Sequence, residues 1–386
     1  MKLTINTDIL AETINAAISS LPPRPNPVIL GGVLVEAQLG AITMSSFNYD
    51  RATTRTVAAD VAEADTAVVS GRLLSAVGGN LPRGKDADIV SSGSEMVITA
   101  GRTAFRLPLM HTEDYPTLPT MTPDADGIGT ADCDELAQAV QVIGELASKD
   151  AEPANLTGLN LTFEPGAVWL CATDRYIIGR RRVPWTGTTT DEVTVPAADM
   201  LATIKAVIGP APEPVEILRN GSMFGLHTSA TTVMTRQLAD DFPAITKVLT
   251  PAVYSSTSTV PTGELAFMLR RAASIADDGN SQVDIEVDAG GLAVTTTRSA
   301  TGKVNDSIAA HHQGDYRRIA LSARRLHNAL SVIDDAEVTL GFRHPEGKPA
   351  DHLIGIHPGA MERTEAKVDL LECHNFALLI GISGKR

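Results

Sequence analysis

The chain repeats itself at close to one third of its length. Asp114-Tyr115-Pro116-Thr117-Leu118 is echoed by Asp241-Phe242-Pro243-Ala244-Ile245, in both cases acid, aromatic, proline, any residue, aliphatic, with Pro116 and Pro243 127 positions apart. A period of that size means a repeated domain and not a solenoid. Helical apolar faces recur in the same phase. Leu10, Ile14, Ala17 and Ile18 follow Thr7-Asp8, a plausible N-cap, at the i, i+4, i+7, i+8 spacing of one helix face. Leu136, Val140 and Ile143 repeat that face 126 positions after Leu10, and Leu265, Leu269 and Ala272 supply a third copy. A second helix recurs through Leu74, Leu201 and Leu326, at spacings of 127 and 125.

Between these helices lie β-rich runs broken by Gly and polar residues. In the first copy they are expected at 2–6, 28–36, 40–46, 54–59, 66–69, 87–91, 95–100 and 103–109. The second copy has them at 158–163, 167–172, 177–183, 191–195, 213–218, 222–227 and 231–237. Each copy therefore reads strand, helix, several strands, helix, several strands. The linkers fall at about 119–128 and near 250–253, where Pro and polar residues interrupt both periods. The expected domains are 1–119, 128–250 and 251–386, a size at which each can bury its own core.

Composition narrows the class. With 4% aromatics, aliphatic side chains must build the cores. Cys133, Cys171 and Cys373 are odd in number and widely spaced, so neither a disulfide framework nor a paired metal knuckle is expected, and a reducing cytoplasm fits best. Met1-Lys2-Leu3-Thr4-Ile5-Asn6 has no apolar signal core and no window approaches a membrane span, so no membrane association is expected. A net charge of −14 argues against a non-specific binder that wraps nucleic acid on a basic surface, while leaving room for local basic patches.

Signals for catalysis are sparse. Gly341 to Lys348 has one residue too many between its glycines for a phosphate loop, and Pro349 replaces the Ser/Thr, which favours a hairpin turn. His311-His312, His352, His357 and Cys373-His374 enrich the last third in metal-ligand types without a metal-site spacing. The doublets Asp240-Asp241, Asp277-Asp278 and Asp334-Asp335 fall at turns or helix ends, where Asp caps backbone N–H groups. Neither a cofactor nor a metal is expected.

A set of short stretches in fixed order resembles the bacterial DNA polymerase III beta subunit, the sliding clamp. They are Leu21-Pro22-Pro23-Arg24-Pro25, Val69-Ser70-Gly71-Arg72-Leu73-Leu74, Phe105-Arg106-Leu107-Pro108 with Glu113-Asp114-Tyr115-Pro116, Leu156-Thr157-Gly158, Ala172-Thr173-Asp174-Arg175-Tyr176 and Asp241-Phe242-Pro243. The resemblance covers essentially the whole chain. It implies an α+β fold with a three-fold repeated DNA-clamp domain, assembled as a head-to-tail dimeric ring with helices inside and sheets outside. It also implies a processivity factor without catalysis of its own. Its partners would be double-stranded DNA, the DNA polymerase III alpha subunit, the clamp loader and other clamp-motif proteins.

Carried over to matching positions, the resemblance implies a hydrophobic pocket for partner peptides lined by Leu156, Thr173, Arg175, Ile178, Pro243, Val248, Leu379, Ile380 and Ile382. DNA contacts would come from Arg24, Arg72, Lys205, Arg270, Arg271, Arg324 and Arg325. Phe105 and Leu107 would meet Ser274 and Ile275 across the dimer interface. The chain departs from the family where Gly381 stands in place of a proline near the end, and where Pro153-Ala154-Asn155 precede Leu156 in place of basic or aromatic residues. A specialised clamp paralogue, a clamp-like binding protein that does not load onto DNA, and an enzyme built on the His-rich third domain are the alternatives.

Overall fold

The computed structural model describes residues 1–150, 152–209, 213–245, 249, 254–275, 281–296, 302–343, 353–361, 370 and 373–380. In the first repeat the elements run β1 (Lys2–Asn6), α1 (Thr7–Ala17), β2 (Gly32–Gln38), β3 (Ala41–Phe47), β4 (Arg51–Ala58), β5 (Asp60–Glu63), β6 (Asp65–Ser70), α2 (Gly71–Gly78), β7 (Asp86–Ser92), β8 (Glu95–Ala100) and β9 (Thr103–Met110). After a one-turn helix α3 (Pro123–Asp126), the second repeat follows as β10 (Gly127–Asp132), α4 (Cys133–Gly144), β11 (Gly158–Glu164), β12 (Ala167–Thr173), β13 (Ile177–Pro184), β14 (Asp191–Pro196), α5 (Ala197–Val207), β15 (Pro214–Asn220), β16 (Met223–His227) and β17 (Thr231–Arg236). The third comprises β18 (Ser256–Pro261), α6 (Thr262–Ile275), β19 (Gln282–Asp288), β20 (Gly291–Thr296), β21 (Asn305–Ile308), β22 (His311–Gly314), β23 (Arg317–Ser322), α7 (Ala323–Leu330), β24 (Glu337–Arg343), β25 (Leu353–Pro358) and β26 (Asn375–Ile380). The order strand, helix, strands, helix, strands recurs three times, as the apolar phases require.

Side-chain caps set the starts of α1, α4 and α7. Asn6 Oδ1 accepts from the Asp8 N–H at 2.9 Å, so the cap sits one residue before the expected Thr7-Asp8. Thr7 is the first helical residue and donates its hydroxyl to Lys85 O at 3.0 Å. Asp132 Oδ1 accepts from Glu135 N–H at 2.8 Å at the start of α4, and Ser322 Oγ accepts from Arg325 N–H at 3.3 Å at the start of α7. No helix among the described residues is long and apolar enough to cross a membrane.

The described chain forms two compact units. The first consists of Met1–Ala137, Glu164–Ala167 and Pro184–Gln237. Thirteen of its strands make one sheet in the order β10-β15-β16-β17-β4-β3-β2-β6-β9-β8-β7-β1-β5. The ladder β17–β4, which sets Met234 opposite Ala52, joins the second repeat's last strand to the first repeat. Leu10 and Ile14 of α1 and Leu74 and Val77 of α2 pack on Val33, Val35, Ile42 and Ile89 of the sheet. Each aliphatic buried this way contributes about 1.5–3 kcal/mol.

The second unit consists of Gln138–Phe163, Val168–Val183 and Leu238–Arg386. Its larger sheet runs β11-β12-β13-β26-β25-β24-β18-β22, and β21-β20-β19-β23 form a separate four-stranded sheet. Here the ladder β13–β26 joins second-repeat and third-repeat elements and sets Ile178 opposite Leu378. Leu265, Leu269 and Ala272 of α6 and Leu326 and Leu330 of α7 are buried, on the faces that the spacing assigns to the core.

Two local expectations change. The first-repeat run at 28–36 is a strand only from Gly32, because Val28–Gly31 turn as a 3₁₀ helix in which Leu30 N–H donates to Pro27 O at 3.1 Å. Strand β10 begins at Gly127, within the end of the stretch at about 119–128 that reads as linker. Its pairing with β15 supplies what its own composition does not.

Candidate functional site

The β12–β13 turn in the second unit is built by Asp174. Its Oδ1 accepts from the N–H groups of Tyr176 and Ile177, both at 2.9 Å, and Thr173 Oγ1 accepts from Arg175 N–H at 3.2 Å. This network holds Arg175 at φ +81°, a left-handed conformation that costs a residue with a Cβ about 1–2 kcal/mol. Asp174 Oδ2 accepts from Arg325 Nε at 2.8 Å, and the Arg325 guanidinium lies 4.4 Å over the Tyr176 ring. One carboxylate therefore ties the turn to the first turn of α7.

Beside this turn lies a cleft of about 550 Å³, lined among others by Leu146, Leu156, Arg175, Tyr176, Arg324 and Arg325. Leu156, 6% exposed, reaches it from a 3₁₀ turn at Ala154–Thr157. Ile178 points to the opposite face of its strand from Ile177 and joins a cluster with Leu249, Tyr254, Phe376 and Leu378, flanked by half-buried Phe242 and Ile245. Within that cluster the Tyr254 hydroxyl and His357 Nε2 are 2.6 Å apart. Burial lowers the pKa of His357 to about 4, raises that of Tyr254, and pushes the Cys171 thiol up to about 12. These groups stay neutral near pH 7.

Of the residues expected to bind peptide, Leu156 and Arg175 line the cleft, Ile178 belongs to the adjoining cluster, Thr173 is buried under the turn and Pro243 is half-buried. The β13–β26 register places Leu379, fully buried, opposite Ile177, which lines the cleft, and Leu378 opposite Ile178 in the adjoining cluster. Val248 and Ile382 lie outside the described residues, as does the side chain of Ile380. Tyr176, Phe242, Ile245 and Leu378 were missed. The aromatic and aliphatic of Asp-Phe-Pro-Ala-Ile, already repeated in the sequence, were the available signal for two of them.

The basic residues separate into two kinds. Arg24, Arg72, Lys205, Arg270 and Arg324 are exposed and make no ion pair among the described residues. Arg325 is held by Asp174, and Arg271 pairs with Asp306. Lys205 lines a separate cleft of about 530 Å³ in the first unit with Glu12, Asn15, Ser19 and Arg55. Arg55 is an additional cation there that the sequence did not single out, bonded to Thr231 Oγ1 at 2.9 Å and 3.6 Å from Glu12.

For assembly, Ser274 and Ile275 are exposed at the end of α6, and Phe105 is half-buried on β9. Leu107 is a core residue of its own unit, opposite Met96 and 5% exposed, so it presents little surface to a partner. Among the described residues no group of three or more His, Cys, Asp or Glu side chains is placed to hold a metal. His312 bonds to Asp315 O at 3.0 Å, and Asp334 pairs with Arg181 at 2.8 Å. Asp277-Asp278, His352 and the Lys348 end of the glycine-containing stretch lie outside the described residues.

Residues 1–119 match the DNA polymerase III beta subunit, N-terminal domain, and residues 247–350 match its C-terminal domain. The chain is 31% identical over 350 residues to a beta sliding clamp of Streptomyces coelicolor, covering 89% of this chain and 91% of that protein. It is 27% identical over 353 residues to the beta sliding clamp homolog GriR of Streptomyces muensis, covering 90% and 92%. Its fold superposes on the crystal structure of the Bacillus subtilis DNA polymerase sliding clamp with a TM-score of 0.84 at 20% identity, over 100% of this chain and 99% of that one. A Pseudomonas aeruginosa sliding clamp bound to griselimycin gives 0.83 at 16% identity, over 99% of both chains. Two family matches at the two ends of the chain and a relative above 30% identity along most of it agree with the repeated fold: the chain belongs to the DNA polymerase III beta subunit family, the sliding clamps.

Proposed function

We propose that the chain serves as a DNA sliding clamp, a processivity factor, whose three repeats (1–119, 128–250 and 251–386) pair head to tail with a second copy to encircle duplex DNA. The observation that carries the reading is the 31% identity to a beta sliding clamp maintained over 350 residues. Topology retains a ring on DNA, so a net charge of −14 is no obstacle; a few basic groups suffice to meet phosphates. Exposed Arg24, Arg72, Lys205, Arg270 and Arg324 are the proposed contacts, with Arg55 beside Lys205.

Partners dock by a short linear motif whose apolar anchors enter the cleft beside the Asp174 turn and the adjoining Ile178 cluster, a recognition mode in which a few large side chains carry the affinity. A tethered polymerase returns to the primer end because its effective concentration there is high. The chain contributes no bond-making step. Primer extension by a DNA polymerase III alpha subunit, with and without this protein and a clamp loader, tests the proposal: products should lengthen at least about tenfold, since tethering converts dissociation into rebinding, and unchanged lengths would defeat it.

A second reading, a specialised clamp acting beside a housekeeping one, is favoured by the similarity to a clamp homolog and by Gly381 near the chain end. Deletion of the gene separates the two: a housekeeping clamp is indispensable for growth, and a specialised copy is not.

A further inference from the structure

The first repeat contains a turn with the same construction as the Asp174 turn. Asn48 Oδ1 accepts from Asp50 N–H at 3.1 Å and Arg51 N–H at 2.8 Å, and Tyr49, at φ +75°, occupies the left-handed position that Arg175 takes. Leu30, on the 3₁₀ turn after Pro27, corresponds to Leu156 on the turn after Pro153. The opposed pair Ala52 and Met234 corresponds to Ile178 and Leu378. The first unit thus holds the framework of a second cleft.

Its contents differ. Arg51 stands 126 positions before Ile177. Its Nε donates to Ser20 O at 3.2 Å, Nη2 to Leu21 O at 3.2 Å and Nη1 to Asp199 Oδ1 at 2.8 Å. Ser20, Leu21 and Asp199 each stand 126 positions before Leu146, Ala147 and Arg325, and those three line the open cleft. The guanidinium therefore bonds to the counterparts of three cleft walls. The ion pair is also inverted: cation on the turn and carboxylate on the helix in the first unit, carboxylate on the turn and cation on the helix in the second. Arg51 is about nine-tenths buried, and burial raises the Asp199 pKa despite the adjacent cation.

We infer that Arg51 plugs a counterpart of the peptide cleft, so that each chain offers one site, not two, to a short peptide with apolar anchors. The inference rests on the peptide-binding reading of the Asp174 cleft given above. With Ile at this position, as at Ile177, no guanidinium would span the walls.

Isothermal titration calorimetry with a synthetic nonapeptide carrying one Leu and one Phe in a Gly/Ser background tests it. The wild-type protein should bind one peptide per chain. Two would overturn the plug, and none would overturn the peptide reading itself. Arg51→Ile combined with Asp199→Asn should expose a second site, with affinity at the first unchanged within about twofold, as expected for independent sites. A folded variant that still binds one peptide overturns the inference. Should that pair fail to fold by circular dichroism, the converse change decides: Ile177→Arg with Arg325→Asp installs the plug in the open cleft and should weaken binding at least about tenfold, whereas unaltered affinity overturns it.

Discussion

Tyr254 and His357 share a hydrogen bond of 2.6 Å between hydroxyl and Nε2 inside the third repeat, 103 positions apart in sequence. Space for the pair comes from glycines on neighbouring strands: a Cβ on Gly341 would stand 2.7 Å from the Tyr254 ring, and one on Gly355 would collide with its hydroxyl. His357 is 1% exposed and its Nδ1 has no partner, so a charged imidazole would be desolvated with an unanswered N–H.

Stability should consequently depend on pH through His357. Its folded pKa of about 4 is below the ordinary 6.5, so the unfolded chain takes up the proton first. The stabilisation is intact above 6.5 and is lost as pH falls toward 4, at about 1.4 kcal/mol per pH unit. Urea unfolding at pH 7.5 and 5.5 should show His357→Leu losing about 1.4 kcal/mol less than wild type over that interval. Equal losses would mean that His357 is not the titrating group.

Asp174 organises both the turn and its link to α7. Asp174→Ala removes two backbone bonds and the Arg325 partner, and should cost about 2–4 kcal/mol in stability, given about 1 for each neutral bond and more for the charged one. Peptide affinity should fall at least about tenfold through lost positioning. Arg325→Gln, which leaves the turn bonds intact, should cost less than half as much. Chemical denaturation of the three proteins measures the difference.

Arg175 supplies a test of strain. At φ +81° a Cβ is disfavoured, so Arg175→Ala keeps the strain and Arg175→Gly relieves it. The Gly variant should be the more stable of the two by up to about 1 kcal/mol, after the glycine's extra unfolded-state entropy. Thermal melts compare them directly, and an Ala variant as stable as Gly would show that the turn is unstrained.

Assembly should depend on residues that keep exposed surface, Ile275 and the half-buried Phe105, and not on the buried Leu107. Phe105→Asp with Ile275→Asp should give a folded species of the 40.7 kDa chain mass by light scattering, against twice that for wild type. Leu107→Asp should instead unfold the first unit, since a buried charge without a partner costs several kcal/mol. A folded Leu107→Asp monomer would return Leu107 to the interface.

Features fixed by near neighbours were legible in the sequence. The apolar phases of Leu10, Leu136 and Leu265 located the helices because helical spacing is local, and Pro116 and Pro243 gave the repeat. Features fixed across distance were not. Arg325 reads as a solvated cation on a helix, and only its contact with Asp174, 151 positions away, shows that its charge is already paired. That Leu378 joins the Ile178 cluster while Leu379 sits opposite cleft-lining Ile177 is a one-residue matter of register, set by the β13–β26 ladder and by nothing within β26. Alternation along β9 groups Phe105 with Leu107 on the core face, and only the packing shows that Leu107 is buried there while Phe105 keeps part of its surface exposed. The Arg51 plug required the comparison of two turns, since an arginine after an Asx turn has no local signature.

The central claim, that this chain acts by encircling DNA, is tested most directly by topology. The labelled protein is loaded onto nicked circular plasmid with a clamp loader and ATP, isolated by gel filtration in high salt, and the plasmid is then cut once. The account predicts co-elution with circular DNA and release on linearisation, because a ring held by topology slides off free ends while salt removes binding that depends on phosphate contacts. Retention on both forms, or on neither, would contradict it.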